Sequence, residues 1–359
     1  MVNDNVAPTS TLALGQRPPA ISYDVALLDL DGVVYTGRGA VPGAVDALAK
    51  ARELGMRLAF VTNNASRSPS AVAAHLSELG VQATSDDVVT SAQAAASLIA
   101  SRVPPGSAVL VAGAIGLRLA LRARGLRPVS VAADRPAAVV QGYAPDLSYG
   151  LLAEAMMAVR DGALFVASNT DSTLPSPRGP QPGNGSLVQV IVTATGVEPL
   201  VAGKPAPPLH HEAMRRTGAR RPLVVGDRLD TDIEGAANGH ADSLFVLTGV
   251  STARELVLAP PEHRPTYVAA DLGGLLVPQP VVGPVRGGSD PDDGDLGETQ
   301  ERPAVDCGGW SARRSGDGPI ELTGSGDPVD GLRALCAVAW SGPQVAAVAV
   351  DPALRTLPF

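Results

Sequence analysis

The sequence predicts an α/β fold: a doubly wound parallel core sheet, an inserted α/β unit and a small C-terminal α/β appendage. Three observations predict it. Short apolar runs alternate with helix-compatible segments from Val25 to Gly80, and the pattern resumes from Gly203 to Ala269; this is the order of a parallel sheet with helical crossovers. Between the two stretches lies a second alternating segment, long enough for a unit of its own. A Pro-, Gly- and Asp-rich stretch then sets off the end of the chain. The expected divisions are a disordered tail over 1–20, the core over 21–91 and 201–279, and the inserted unit over 92–200. An acidic linker over 280–301 and an appendage over 302–359 complete the chain.

The elements are justified in turn. Val25 to Tyr35 reads VALLDLDGVVY: an apolar run closed by Asp29, Leu30, Asp31 and Gly32, which fits a strand buried on both faces. Ala44 to Leu54 has helical composition and stops at Gly55. Arg57 to Thr62 is a second strand, followed by Asn63 and Asn64. Ser68 is placed to cap a helix with Pro69 in its first position, running to Leu79. In the inserted segment, Ala108–Val111, Ala137–Gln141 and Ala163–Ala167 read as strands. Gly116–Arg124, Ser148–Val159 and Leu187–Thr195 read as helices, and Ser168–Ser186 as a long loop of the kind that carries function or is disordered. After Gly203-Lys204-Pro205 come a helix over Pro208–Arg216, a strand over Pro222–Val225, and GDRLDTD (Gly226–Asp232) at its carboxyl end. A strand over Ser243–Leu247, a helix over Thr252–Leu258 and a short strand over Tyr267–Ala269 complete the core.

Bulk properties narrow the function classes. The chain has 359 residues, 45% apolar and only 3% aromatic, so Ala, Val and Leu must build the core. A net charge of −8 disfavours nucleic acid and anionic membranes. No apolar run reaches membrane-spanning length, and residues 1–20 lack a signal-peptide pattern. Two cysteines, Cys307 and Cys336, both late in the chain, suit a reducing cytoplasm and not a disulfide scaffold.

Asp29 and Asp31 share one face of the strand end, and Gly32 permits a sharp turn and close ligand approach. By itself D-x-D-G has two readings, an acidic strand end with an Asx turn or a cation site. Thr62 with Asn63, Lys204, and Asp227 with Asp232 fall at the same edge of the sheet, where ligands bind in such folds. Three inward acids suit Mg²⁺, a hard ion with oxygen ligands. A lysine with backbone N–H groups suits a phosphoryl group, whose charge must be offset before a carboxylate can approach it.

DLDGVVY, VTNN, GKP and GDRLDTD resemble the four motifs of the haloacid dehalogenase superfamily of phosphohydrolases, with its Rossmann-like core. The large insert between the second and third resembles the subfamily with an α/β cap, of the NagD and 4-nitrophenylphosphatase type. The resemblance implies Asp29 as nucleophile and Asp31 as general acid and base. It implies Mg²⁺ held by Asp29, the Asp31 carbonyl and Asp227. Thr62 and Asn63 would bond the phosphoryl oxygens, with Gly32 and Asn64 lining the same site. Lys204 would pair with the nucleophile, and Asp232 would orient Lys204 or a Mg-bound water. The inserted unit would be the cap. Its Ser168-Asn169-Thr170-Asp171 segment faces the site in the resemblance, with Asn169 and Asp171 either touching substrate or forming an Asx turn; Pro182–Gly185 is its glycine-rich partner.

Other signals carry less. Gly113–Gly116 lacks a full dinucleotide fingerprint and reads as a tight turn. His210, His211 and Glu212 lack the second histidine of a zinc helix and read as exposed, as do the arginine pairs 215–216 and 220–221. Val345–Arg355 resembles a strand and the start of the cofactor loop of GCN5-related acetyltransferases, but the chain as given ends at Phe359 without the pyrophosphate cradle. A cap-type core with such a truncated tail resembles the actinobacterial glycerol-3-phosphate phosphatases. The expectation is a Mg²⁺-dependent cytoplasmic phosphatase of small phosphomonoesters, glycerol 3-phosphate first, in glycerophospholipid recycling. 2-Phosphoglycolate, pyridoxal 5′-phosphate and 4-nitrophenyl phosphate are the alternatives within the class. A noncatalytic sensor of a phosphometabolite, acting through the tail, is the alternative outside it. A homo-oligomer through cap or tail is the expected form of self-association.

Overall fold

The computed structural model describes residue 12 and residues 17–174, 178–284, 304–314, 318–342 and 345–359. Most of the expected N-terminal tail lies outside this set. Leu12 is nevertheless buried, and α1 (Pro19–Ser22) forms a helical turn with Ala20 in the core, so residues 19 and 20 are not a loose tail. A proline at the first helical position favours that turn.

The chain continues through β1 (Val25–Leu28), a hairpin of β2 (Tyr35–Thr36) and β3 (Gly39–Ala40), α2 (Ala44–Glu53), β4 (Arg57–Thr62), α3 (Pro69–Glu78), β5 (Val88–Thr90) and α4 (Ser91–Ala100). The Ser68 side chain accepts from the Ala71 N–H and caps α3 as its sequence requires. The inserted segment holds β6 (Ala108–Ala112), α5 (Ile115–Ala123), β7 (Arg127–Val129), β8 (Ala138–Gln141), α6 (Tyr149–Arg160) and β9 (Leu164–Ala167). A small hairpin of β10 (Thr173–Leu174) and β11 (Gln181–Pro182), then α7 (Asn184–Thr195) and β12 (Leu200–Val201), follow. The core resumes with α8 (Pro208–Thr217), β13 (Pro222–Gly226), α9 (Glu234–Asn238), β14 (Asp242–Val246), α10 (Ala253–Val257) and β15 (Tyr267–Ala269). The end of the chain adds β16 (Gly283–Pro284), β17 (Ala304–Cys307), β18 (Trp310–Arg314), β19 (Ile320–Gly324), α11 (Pro328–Trp340) and α12 (Ala347–Leu354).

The core sheet has the order β15-β14-β13-β1-β4-β5, all pairs parallel. β1 is central, paired with β13 on one side and β4 on the other. Its side chains alternate between two layers: Ala26 and Leu28 pack with α2 and α3, Val25 and Leu27 with α4 and α8. The inserted segment forms a second parallel sheet, β12-β9-β8-β6-β7. Leu110, Val139 and Phe165 on one face pack with α6 and α7. Val109, Val111 and Val140 on the other face join the same cluster as Val25 and Leu27. The two sheets therefore share a hydrophobic layer.

One reading changes, and two further features come from the structure. The segment β5–α4, with Thr90 and Gln93 in a capping box, has a strand of only three residues and an alanine-rich helix without a clear apolar stripe. Its capping box was the legible signal. Val345–Arg355, expected as a strand, contains the helix α12 packed across β19; the Ala-rich stretch favours helix where no strand is there to pair with it. The end of the chain makes a four-stranded antiparallel sheet, β16-β17-β18-β19, covered by α11 and α12. As its small size implied, its apolar side chains merge with those of Phe245, Leu256, Val257 and Val268 of the core in one cluster.

Candidate active site

The carboxyl ends of β1, β4 and β13 lie side by side, because adjacent parallel strands end at one edge. Asp29 follows β1 directly, and its N–H donates to the Val225 carbonyl (2.9 Å), continuing the ladder past the last strand residue. Its carboxylate, with those of Asp227 and Asp232, places one oxygen from each residue within 4.8 Å of the others. Lys204 enters from the loop after β12. Its Nζ donates to Asp29 Oδ1 at 2.5 Å and Asp232 Oδ1 at 2.7 Å, and reaches the Val61 carbonyl at 3.4 Å.

Gly32 and the loop after β14 close the site from below. Gly32 has φ +85°, and a Cβ there would stand 2.5 Å from Asp227 Oδ2, so glycine is needed for both conformation and space. Thr248 Oγ1 donates to the Gly32 carbonyl at 2.6 Å. The Val250 N–H donates to Asp227 Oδ2 at 2.7 Å, and the Ser251 N–H to the Asp227 carbonyl. The sequence reading missed this Thr248–Ser251 support; its position after a core strand was the available signal.

Three carboxylates face one ammonium, an excess of two negative charges. Burial raises Asp29 well above the ordinary carboxylate range; Lys204 opposes this, while Asp232 and Asp227 add to it. Burial, then Asp232, pushes Asp227 up to about 6. Burial alone would lower the Lys204 ammonium, but Asp232 and Asp29 hold it above its ordinary value. Such a cluster fits a divalent cation, which relieves both the desolvation and the mutual repulsion. The donor set agrees: Asp227 Oδ1 is buried without a hydrogen-bond partner. Asp232 has both oxygens committed, Oδ1 to Lys204 and Oδ2 to the Arg228 N–H at 3.1 Å. Asp29 and Asp227 are thus the acids able to hold Mg²⁺, with Asp232 orienting the lysine.

Asp31 sits at the mouth, exposed to solvent, and the surrounding protein raises its pKa against the pull of Lys204, Arg67 and His75. Thr62 is buried, and its Oγ1 accepts the Asn64 N–H at 3.1 Å. Asn64 is exposed, and its Oδ1 accepts from the Ser66 N–H and hydroxyl (2.8 and 2.6 Å), an Asx turn. Asn169 adopts the turn alternative: its Oδ1 accepts the Asp171 N–H, and its Nδ2 donates to the Asn63 carbonyl at 2.7 Å. Asp171 accepts from Asn63 Nδ2 at 3.2 Å. Burial raises Asp171, with Arg228 opposing. Arg228 itself forks onto Asp230 (3.0 and 2.7 Å), so Asp230 is an exposed partner at the rim. Asn184 of the glycine-rich segment donates to the Asn169 carbonyl at 2.7 Å.

Two readings outside the site are corrected. His210 and Glu212, expected to be exposed, are buried on the inward face of α8; His211 alone of the three is exposed. Glu212 accepts from Ser97 of α4, Arg124 just after α5 and Arg215 of α8. A cavity of about 370 Å³ beside them, lined by Thr90, Gln93, Arg124 and Glu212, is bounded by none of the predicted site residues.

The chain is similar to known proteins over most of its length. Residues 26–127 match the haloacid dehalogenase-like hydrolase family, residues 201–275 a related HAD-hydrolase-like family, and residues 307–357 a GCN5-related N-acetyltransferase like domain. The chain is 54% identical over 256 residues to D-glycerol 3-phosphate phosphatase of Mycobacterium tuberculosis, covering 71% of this chain and 72% of that protein. It superposes on a crystal structure of glycerol phosphate phosphatase from that organism, in complex with magnesium. The TM-score is 0.80 at 43% identity, over 96% of this chain and 99% of the other. Against 4-nitrophenylphosphatase of Thermotoga maritima the TM-score is 0.66 at 32% identity, over 72% and 97%.

Proposed function

The chain belongs to the haloacid dehalogenase-like hydrolases, and from that premise we propose that it is a Mg²⁺-dependent phosphatase converting glycerol 3-phosphate to glycerol and phosphate. The observation that carries the chemistry is the single Lys204 ammonium among the carboxylates of Asp29, Asp227 and Asp232, with Asp227 Oδ1 left unpartnered. The substrate rests on the likeness to the mycobacterial enzyme.

Asp29 is the nucleophile. Its carboxylate attacks phosphorus, the bond to the glycerol oxygen breaks, and an aspartyl-phosphate forms. Asp31, at the mouth and with a raised pKa, gives its proton to the departing alcohol. It then takes a proton from the water that attacks the aspartyl-phosphate, which releases phosphate and restores Asp29. Lys204 holds Asp29 in its attacking geometry and offsets charge on the transferred group. Asp29 and Asp227, with the Asp31 carbonyl, hold Mg²⁺, which when bound supplies positive charge against the phosphoryl oxygens. Thr62 and the Gly32 turn line the phosphoryl site. The inserted segment is the cap, covering the substrate and keeping out water. Cys307 and Cys336 are both free and buried, which supports a reducing, cytoplasmic location. Among the described residues no helix is long and apolar enough to cross a membrane.

The test is phosphate release from glycerol 3-phosphate, 2-phosphoglycolate, pyridoxal 5′-phosphate and 4-nitrophenyl phosphate, ranked by kcat/KM with and without Mg²⁺. Glycerol 3-phosphate should rank first, with activity lost on chelation. A higher rank for 2-phosphoglycolate would overturn the substrate. Full activity in Asp29→Asn would remove the nucleophile assignment.

A further inference from the structure

The Asn63 side chain was expected to bond the phosphoryl oxygens, yet it is already committed. Its Oδ1 accepts the Lys204 N–H at 2.8 Å, and its Nδ2 donates to the Lys204 carbonyl at 3.1 Å. The same Nδ2 donates to Asp171 Oδ1 at 3.2 Å. The orientation of this amide is forced: a backbone N–H can only donate, while a carbonyl and an ionised carboxylate can only accept. One hydrogen of Nδ2 goes to Lys204 and the other to Asp171, which leaves none for a substrate. The Asn63 carbonyl is engaged as well, by Ser91 Oγ at 2.6 Å and Asn169 Nδ2 at 2.7 Å. Gly203 makes the approach possible, since a Cβ there would stand 2.6 Å from both Asn63 Oδ1 and the Ser168 carbonyl.

We infer that Asn63 is a positioning residue that joins the seating of the inserted segment to the placement of Lys204. Its carboxamide clips both polar groups of the Lys204 backbone, and so fixes where the ammonium meets Asp29 and Asp232. Asp171, from the inserted segment, anchors that carboxamide from the far side. The two Lys204 backbone groups set the orientation of the amide; Asp171 takes the second hydrogen of Nδ2 and holds the carboxamide in place from the inserted segment. The inference rests on the reading of Lys204 as the cation of the phosphoryl site.

The test is a donor–acceptor exchange in the full chain, read by kcat and KM on 4-nitrophenyl phosphate with saturating Mg²⁺. Asn63→Asp still accepts from the Lys204 N–H but has no hydrogen for Asp171 and sets two carboxylates against each other. Its kcat/KM should fall about 100-fold, the scale of a misplaced catalytic group. Adding Asp171→Asn to it supplies a donor from the opposite side and should recover about tenfold. Asp171→Asn alone keeps an acceptor for Asn63 and should cost less than about threefold. A double variant no better than Asn63→Asp overturns the coupling, because loss of a merely structural asparagine would not be repaired from Asp171. Should Asn63→Asp fail to fold, Asp171→Ala gives the same answer. Loss of the anchor should lower kcat about tenfold with KM unchanged; an unchanged kcat, or a change in KM alone, overturns the inference. Lys204→Met separates the two levels. Full activity in that variant refutes the reading of Lys204 itself, whereas inactivity of it with no rescue in the exchange refutes only the coupling.

Discussion

His210 shows how a residue set aside on sequence grounds acquires a consequence through burial. It lies on the inward face of α8 with its Nδ1 donating to the Gly235 carbonyl at 3.1 Å and its Nε2 unpartnered. Burial, then the nearby Lys204 charge, lowers its pKa to about 4 from the ordinary 6.5. Between those values the unfolded chain binds more protons than the folded one, so stability rises with pH across the window. The contribution is complete above about 6.5 and is lost as pH falls towards 4, amounting to about 3 kcal/mol. Urea unfolding of the wild type and His210→Gln at pH 4.5 and 7 checks this: the two should differ in the pH slope, and parallel slopes would count against it. At this scale the acids and the cation were legible, because Asp29, Asp31, Lys204, Asp227 and Asp232 stand at predicted strand ends. The asparagines were legible only in part: the turns closed by Asn64 and Asn169 are local, each reaching two residues on, whereas Asn63 finds Lys204 across 141 positions.

At the scale of elements, α8 ties the two parallel sheets together. Glu212 is only 4% exposed in its side chain and takes Arg124 at 2.7 Å and Arg215 at 2.8 Å. Ser97 of α4 adds a third donor. Removing the acid leaves Arg124, two-thirds covered, without its partner. Glu212→Ala should therefore cost about 2 kcal/mol, below the full cost of breaking a buried pair because both arginines reach solvent. Arg215→Ala, removing a mostly exposed partner, should cost about 0.5 kcal/mol. Equal losses in the two variants by chemical denaturation would contradict this account. The strands and long helices of the core were readable because period-two and period-3.6 patterns are local. Short or one-sided elements were harder: β5 has three residues, and the end of the chain folds α12 where a strand was expected.

At the scale of the whole molecule, the C-terminal appendage is part of the core's hydrophobic closure. Trp340 is buried, and its Nε1 donates to the Val257 carbonyl at 3.1 Å. Arg333, also buried, donates to the Val268 carbonyl and to Gln279 Oε1 at 2.9 Å. α10, which Trp340 packs beside, directly follows the Thr248–Ser251 loop that holds Asp227. Residues 304–359 therefore contribute to the stability of the core as well as packing on it. Trp340→Ala should lower stability by about 3–5 kcal/mol, and a chain ending at 301 should melt earlier and aggregate, since Phe245 and Leu256 lose their cover. An unchanged melting temperature in the truncated chain would refute this.

By itself the sequence determined the class of chemistry. Apolar runs, each ending in Asp, Thr or Gly-Asp, place those residues at one sheet edge, because parallel strands related by helical crossovers end together. What only the tertiary structure decided is which polar atoms remain free to act. Hydrogen-bond saturation and burial depend on partners distant in sequence, so the contacts of the Asn63 side chain with Lys204 and Asp171, the burial of His210 and Glu212, and the core side chains that the final segment covers emerge only in the folded chain.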